Sequence, residues 1–312
     1  MEKKSEFRSK MVQALGLPWE TCDRGIQMEA QEETDEGYTR ILISYNVERT
    51  ERVRAFLLVP KAIKGKAPAV VACHQHNVTF QIGKSEPAGL AGLPDMAYGA
   101  DLCRRGYVVI CPDMLCFEDR RPQKWREEKY DHDCTYEKLT YLKYLAAGSS
   151  LTAKYLHDYT CAVDVLYALP YVDRTRIFSF GHSTGGQCAL WLAWYDERIF
   201  GGVSSCGFAR IQDLRAANKE HNLAMVAPGM LSIGDYENLV EDLAPKPFAF
   251  TCGTYDPTFL LDSVRKIGKA AKQAYVEKGA EAYLYQEYFE GWHWIRKETR
   301  ERLYHWMESV GK

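Results

Sequence analysis

Ile177-Phe178-Ser179-Phe180-Gly181-His182-Ser183-Thr184-Gly185-Gly186-Gln187-Cys188-Ala189-Leu190-Trp191-Leu192-Ala193-Trp194 is the stretch that decides the fold. Its first four residues form a short apolar run that reads as a buried strand, and Gln187 to Trp194 reads as a buried helix. A strand that turns this sharply into a helix forces the corner residue, Ser183, into strained backbone angles and lifts its side chain clear of the sheet. Glycines flank it because no Cβ would fit. The hydroxyl is then held out for attack, with main-chain N–H groups at a helix N-terminus facing any negative charge that develops there. Upstream, Asp164 to Leu169 ends a helical pattern, Pro170 breaks it, and Val172 to Arg176 forms a polar turn feeding the strand.

Outward from this point, short β-rich runs alternate with helical patterns, which predicts an α/β fold with a mostly parallel sheet covered on both faces. Eight strands are expected: 40–45, 52–59, 69–74, 107–111, 177–180, 202–206, 247–252 and 282–288, the first two as an antiparallel hairpin. Helices are expected at 95–105, 151–169, 186–195, 260–278 and 294–310. Residues 1–35 read as an N-terminal arm and 36–312 as a single domain. One segment, 118–150, breaks the rhythm: it is dense in charge and tyrosine, carries Trp125, and has no clear strand. An insertion after a strand's C-terminal end lies where open α/β sheets bind ligands, so it reads either as a lid or substrate wall or as a surface excursion or oligomer contact.

Composition narrows the function. The chain has 312 residues, 46% of them hydrophobic, enough for a large core. Its 40 basic and 42 acidic residues leave a net charge of −2 and no electrostatic case for nucleic-acid binding. No leader-like apolar run follows Met1 and no stretch is long enough for a membrane span, so a soluble cytoplasmic protein is expected. Six of the ten cysteines sit inside apolar strand or helix patterns, where reduced thiols are expected. Cys111 and Cys116 lack partners at metal-site spacing. His74 and His76 alternate along a strand end, but no third ligand is evident, so no metal and no cofactor is expected.

A serine hydroxyl needs a base within hydrogen-bond reach and a carboxylate to orient that base. Beyond Ser183 the histidines are His221, His293 and His305. His293 follows the last expected strand and precedes the last helix; His305 lies within that helix, and His221 lies in a polar stretch between strands. For the acid, Asp256 leaves the C-terminal end of the 247–252 strand in a Gly-Thr-Tyr-Asp-Pro turn, though capping the next helix is its rival role. Asp235, Asp242 and Asp262 fall before that strand or inside the next helix. An oxyanion hole would take the N–H of Thr184 and a second donor, Gln75 or His76, from the loop after the 69–74 strand. Trp125, Trp292 and Trp294 are candidates for an aromatic substrate wall or, equally, packing anchors.

Together, 172–186, the loop His74-Gln75-His76-Asn77, Gly253-Thr254-Tyr255-Asp256 and Gly291-Trp292-His293 resemble the α/β-hydrolase superfamily, within it the dienelactone-hydrolase and acetyl-xylan-esterase-like branch. The likeness spans most of the chain from about Arg52. It implies cofactor-free serine hydrolysis of carboxylic esters, with Ser183, Asp256 and His293 matched residue by residue. Two positions depart from the pattern. His74-Gln75 replaces the His-Gly of many relatives at the oxyanion loop, and Ser183 replaces the cysteine of dienelactone hydrolases proper, so a dienelactone substrate is not supported. The expected partner is a small-molecule ester, with a homo-oligomer left open. A peptidase or amidase using the same three residues, and a catalytically silent binding protein of the same fold, are the alternatives.

Overall fold

Val, Ile, Phe and Ala dominate the central runs of the chain, and such runs can only be buried on both faces. In the computed structural model, which describes residues 5–76, 80–127, 134–219 and 222–311, they build one sheet. Its strands are β1 (Gln27–Glu33), β2 (Tyr38–Glu48), β3 (Glu51–Pro60), β4 (Ala67–Cys73), β5 (Val108–Pro112), β6 (Val172–His182), β7 (Ile199–Ser205), β8 (Phe248–Gly253) and β9 (Leu284–Phe289). The spatial order is β1-β2-β3-β5-β4-β6-β7-β8-β9. Pairings among β1, β2, β3 and β5 are antiparallel, and every pairing from β5 through β4 to β9 is parallel.

The sheet thus has nine strands rather than the expected eight. The additional one, β1, lies within the segment read as an arm. All seven of its residues are exposed, Met28 and Ala30 included, so neither face of it is buried. It is an edge strand protected by charge: Glu29 pairs with Arg54, Glu32 with Arg40 and Glu33 with Lys61.

The helices are α1 (Glu6–Leu15), α2 (Tyr98–Arg104), α3 (Gln123–Glu127), α4 (Thr135–Ala146), α5 (Leu151–Ala168), α6 (Thr184–Tyr195), α7 (Ile211–Ala216), α8 (Tyr236–Leu243), α9 (Leu261–Glu277) and α10 (Lys297–Val310). They cover both faces of the sheet. Ala69, Val71 and Cys73 of β4 point into one core with α1, α5, α6, α8 and α9, while Val70 and Ala72 point into a second core with α2 and α10. α6 is buried all round and largely apolar, and only its last residue escapes burial. The last helix begins three residues later than expected, because 294–296 remain loop.

The segment 118–150 has no strand among its described residues. It folds as a short 3₁₀ turn (Glu118–Arg120), α3 and α4. Part of it is structural: buried Arg120 pairs with Asp158 and Glu51. No disulfide joins the cysteines. Among the described residues no helix is long and apolar enough to cross a membrane.

After β4 the chain adds β5 on one side and then crosses to place β6 on the other. The crevice at the C-terminal ends of β4 and β6 is therefore the switch point at which open α/β sheets bind ligands.

Candidate active site

Ser183 stands at that crevice, between the end of β6 and the start of α6, with φ 54° and ψ −125°. A non-glycine residue in this region is strained by roughly 1–3 kcal/mol and is held there only by its surroundings. The surroundings are tight. A Cβ on Gly185 would lie 2.0 Å from the carbonyl oxygen of Cys73, and one on Gly181 would lie 2.2 Å from the Gly185 main chain. The Ser183 N–H donates to Ser205 O at 2.9 Å, anchoring the corner to β7.

Asp256 and His293 arrive on two loops that are tied together. The N–H of Thr254 donates to Phe289 O at 2.9 Å, and that of Tyr255 donates to Gly291 O at 2.8 Å. Gly253 makes the approach feasible, since a Cβ there would lie 2.2 Å from Trp292 O. As a result, His293 Nε2 lies 2.8 Å from Ser183 Oγ, and His293 Nδ1 lies 2.8 Å from Asp256 Oδ2. The other carboxylate oxygen of Asp256, Oδ1, accepts from the N–H of Thr258 at 2.8 Å and of Phe259 at 3.0 Å. With the carboxylate able only to accept, Nδ1 carries the imidazole proton and Nε2 is left bare toward the serine hydroxyl. The three residues singled out by chain order are thus one continuous hydrogen-bonded path.

Asp235, Asp242 and Asp262 are elsewhere. Asp235 caps α8, Asp242 pairs with Arg8, and Asp262 is near Arg265 on α9. His305 is exposed on α10, and His221 lies outside the described residues.

The loop after β4 packs against the serine corner: a Cβ on Gly185 would also lie 2.7 Å from His74 O. His74 itself is turned inward. Its Nε2 accepts from Met114 N–H at 3.0 Å, so its Nδ1 donates to Gln75 O at 2.9 Å, and burial pushes its pKa down to about 4. The Gln75 side chain donates to Glu86 at 2.9 Å, and His76 Nε2 lies 3.1 Å from Glu137. Neither Gln75 nor His76 donates a main-chain hydrogen bond among the described residues. Thr184 is the first residue of α6, where the N–H has no intrahelical acceptor.

Of the tryptophans, Trp292 and Trp294 flank His293 and are 54% and 42% exposed, with the Tyr255 ring 6.2 Å from that of Trp292. Trp125 packs against Tyr136 within the insertion, with ring centroids 5.7 Å apart and planes tilted by 35°.

Two neighbours were not anticipated. His182 is fully buried with its ring 4.9 Å from that of His293, and its Nδ1 lies 3.1 Å from Ser205 Oγ, which in turn accepts from Thr251. Burial, and next the proximity of His293, holds its pKa well below the usual imidazole range, so it packs as a neutral ring. Asn222 donates to Thr184 Oγ1 at 3.0 Å, bracing the corner from the far side. The alternating strand pattern that buries His182 could have exposed the first; nothing in the local sequence points to the second.

Comparison with known proteins agrees with this architecture. The model of the prolyl oligopeptidase family matches residues 143–311, more than half of the chain. YtaP of Bacillus subtilis (strain 168), which carries a provisional hydrolase name, is 25% identical over 284 residues, covering 89% of each chain. Solved structures with the same fold include a provisionally named acetyl xylan esterase of Bacteroides fragilis NCTC 9343 (TM-score 0.76, 15% identity, 91% of this chain and 73% of that one). A glucuronoyl esterase of Solibacter usitatus (0.71, 12%, 97% and 91%) and acetyl xylan esterase 1 of Thermoanaerobacterium sp. JW/SL YS485 (0.66, 14%, 98% and 92%) are further examples. At such identities they speak for the fold, which is that of α/β-hydrolases. The family match, the nine-stranded sheet and the serine at its switch point lead to one assignment: this chain is an α/β-hydrolase of the prolyl oligopeptidase family, a family of serine hydrolases.

Proposed function

We propose that the protein is a serine esterase that cleaves small carboxylic esters through an acyl-enzyme. The observation that carries this reading is the hydrogen-bonded path from Ser183 Oγ through His293 to Asp256, with both links at 2.8 Å. His293 Nε2 takes the Ser183 proton as Oγ bonds to the ester carbonyl carbon, and Asp256 orients the imidazole and stabilises its charged form. The oxyanion is held by the N–H of Thr184 and of Gln75 or His76, each worth about 3 kcal/mol of barrier. As the tetrahedral intermediate collapses, the alcohol leaves with the proton from His293. Water then attacks the acyl-serine with His293 again as base, and the carboxylic acid departs.

The substrate reading rests on the ester chemistry named for the structural neighbours and on the exposed Trp292, Trp294 and Tyr255 rings, which suit a sugar or aryl face. A reducing compartment, the cytoplasm, is favoured by ten cysteines without a disulfide. A second reading, amide or peptide cleavage, is favoured by the family match. The two separate in one experiment: short acyl esters, acetylated sugars and aryl esters are assayed beside proline-containing peptide amides, with Ser183→Ala as control. Ester turnover that nearly vanishes in the variant is expected. Turnover of peptides alone would replace the esterase reading, and equal rates in parent and variant would remove Ser183 from the chemistry.

A further inference from the structure

Three clusters of metal-ligating side chains occur among the described residues. In the first, buried Cys206 stands beside Asp256 and His293 of the site above. Asp113, Glu118 and Asp119 already surround a cation, the buried ammonium of Lys84, which pairs with all three. The third joins His76 to Cys134 and Glu137, whose ligand atoms lie within 4.8 Å of one another.

This cluster brings together a loop and a helix distant in sequence. His76 comes from the loop after β4, Cys134 caps α4, and Glu137 lies in the first turn of α4. Glu137 is buried, 3% of its side chain being exposed, and one of its oxygens meets His76 Nε2 at 3.1 Å. Its other oxygen, Oε1, is buried without a hydrogen-bond partner among the described residues. Leaving such an atom unsatisfied costs about 1–3 kcal/mol, more for a charged group, so a further partner at this atom would be stabilising. The imidazole of His76 is fixed edge-on between Phe80 and Phe117, with ring centroids at 4.9 and 5.2 Å. Its plane is therefore set before any ligand arrives.

We propose that His76, Cys134 and Glu137 bind a divalent cation of the zinc class. One imidazole nitrogen, one thiolate and one carboxylate form a donor set suited to a borderline-soft ion and poor for magnesium or calcium, which take oxygen ligands. Bonds of roughly 2.0–2.3 Å in a tetrahedron place ligand atoms about 3.5 Å apart. The His76 and Glu137 atoms need only open by a few tenths of an ångström, and the sulfur needs to close on them. Binding displaces the Cys134 thiol proton to solvent and leaves a fourth position for water. The ion staples α4 to the loop that carries Gln75 and His76.

The test is a titration of metal-free protein with Zn²⁺ against a chromophoric chelator, followed by loading with Co²⁺ and recording of the near-ultraviolet spectrum. The expected result is one equivalent bound, a rise in thermal midpoint on loading, and a thiolate-to-cobalt charge-transfer band. Cys134→Ser loses the band and binds about tenfold or more weakly, Glu137→Gln binds similarly weakly, and Cys22→Ser behaves as the parent. Parent protein without stoichiometric binding, or a cobalt complex whose spectrum is unchanged in Cys134→Ser, overturns the proposal. Should Glu137→Gln fail to fold, the half-buried Cys134 position decides alone.

Discussion

Replacing Asp256 by asparagine probes the proposed chemistry at one atom. Asp256 Oδ1 is pinned by two main-chain donors, Thr258 N–H at 2.8 Å and Phe259 N–H at 3.0 Å, so in the variant this position must remain the amide oxygen. The amide NH₂ is then forced into the place of Oδ2, 2.8 Å from His293 Nδ1. Two donors cannot face each other, so the imidazole takes the other tautomer, with its proton on Nε2 toward Ser183. That nitrogen can no longer accept the hydroxyl proton. In serine proteases the same replacement lowers kcat by ~10⁴, about 5.5 kcal/mol of barrier, through the same tautomer change. A loss of that order in kcat is expected for hydrolysis of the best ester found, with KM little changed because the substrate does not touch Asp256. Urea unfolding should show only about 1–2 kcal/mol of destabilisation, from weakening two charge-assisted hydrogen bonds. A variant that folds and keeps more than about a tenth of the parent kcat would refute the reasoning.

Gly253→Ala should abolish activity without touching any reacting group, because its Cβ would sit 2.2 Å from Trp292 O and push away the loop bearing His293. Destabilisation on the order of 3 kcal/mol by urea unfolding should accompany it; parent-level turnover would contradict the close approach of the two loops. Glu51 offers a pH test of the charge network beneath the insertion. Burial alone would push its carboxyl up, but the charges of Arg120 and Lys154 outweigh that and hold its pKa down at about 2, against 4.5 when unfolded. A depressed carboxylate contributes stability that is present above pH 4.5 and lost as pH falls toward 2. Glu51→Gln should therefore be less stable than the parent at pH 7 by on the order of 2 kcal/mol, discounting for partial exposure, with the gap closing below pH 4.5. A gap that stays constant from pH 7 to pH 3 would argue against the ion pairs.

The centre of the parallel half was legible because β4, β5, β6 and β8 are runs rich in apolar residues and most of the expected strands there are followed by a helical pattern. β4, β6, β7 and β8 differ from their expected bounds by only a few residues at either end, apart from the polar start of β6 at Val172. Ser183 announced itself through glycine spacing, since backbone crowding at 2.0–2.2 Å leaves no other residue a place at 181 or 185. Asp256 and His293 were found as loop residues following strands, and their meeting was a matter of topology rather than local sequence. What escaped was what local pattern does not encode. β1 is mostly polar and exposed throughout, Met28 and Ala30 included, because its neighbours are a single strand and solvent. α1, which packs Met11 and Leu15 into the main core, lies in the stretch read as an arm. His76 was paired in the sequence with His74, two residues away. The fold separates them, sending His74 toward Met114 and His76 toward Glu137, sixty-one positions further on.

The central proposal, that the Ser183 hydroxyl is the nucleophile activated by His293, is tested most directly by labelling the protein with a fluorophosphonate and locating the adduct by peptide mass spectrometry. The expected result is a single phosphonylated residue, Ser183, with labelling absent in Ser183→Ala and slowed by orders of magnitude in His293→Ala. An adduct on another residue, or labelling of the two variants at the parent rate, would contradict it.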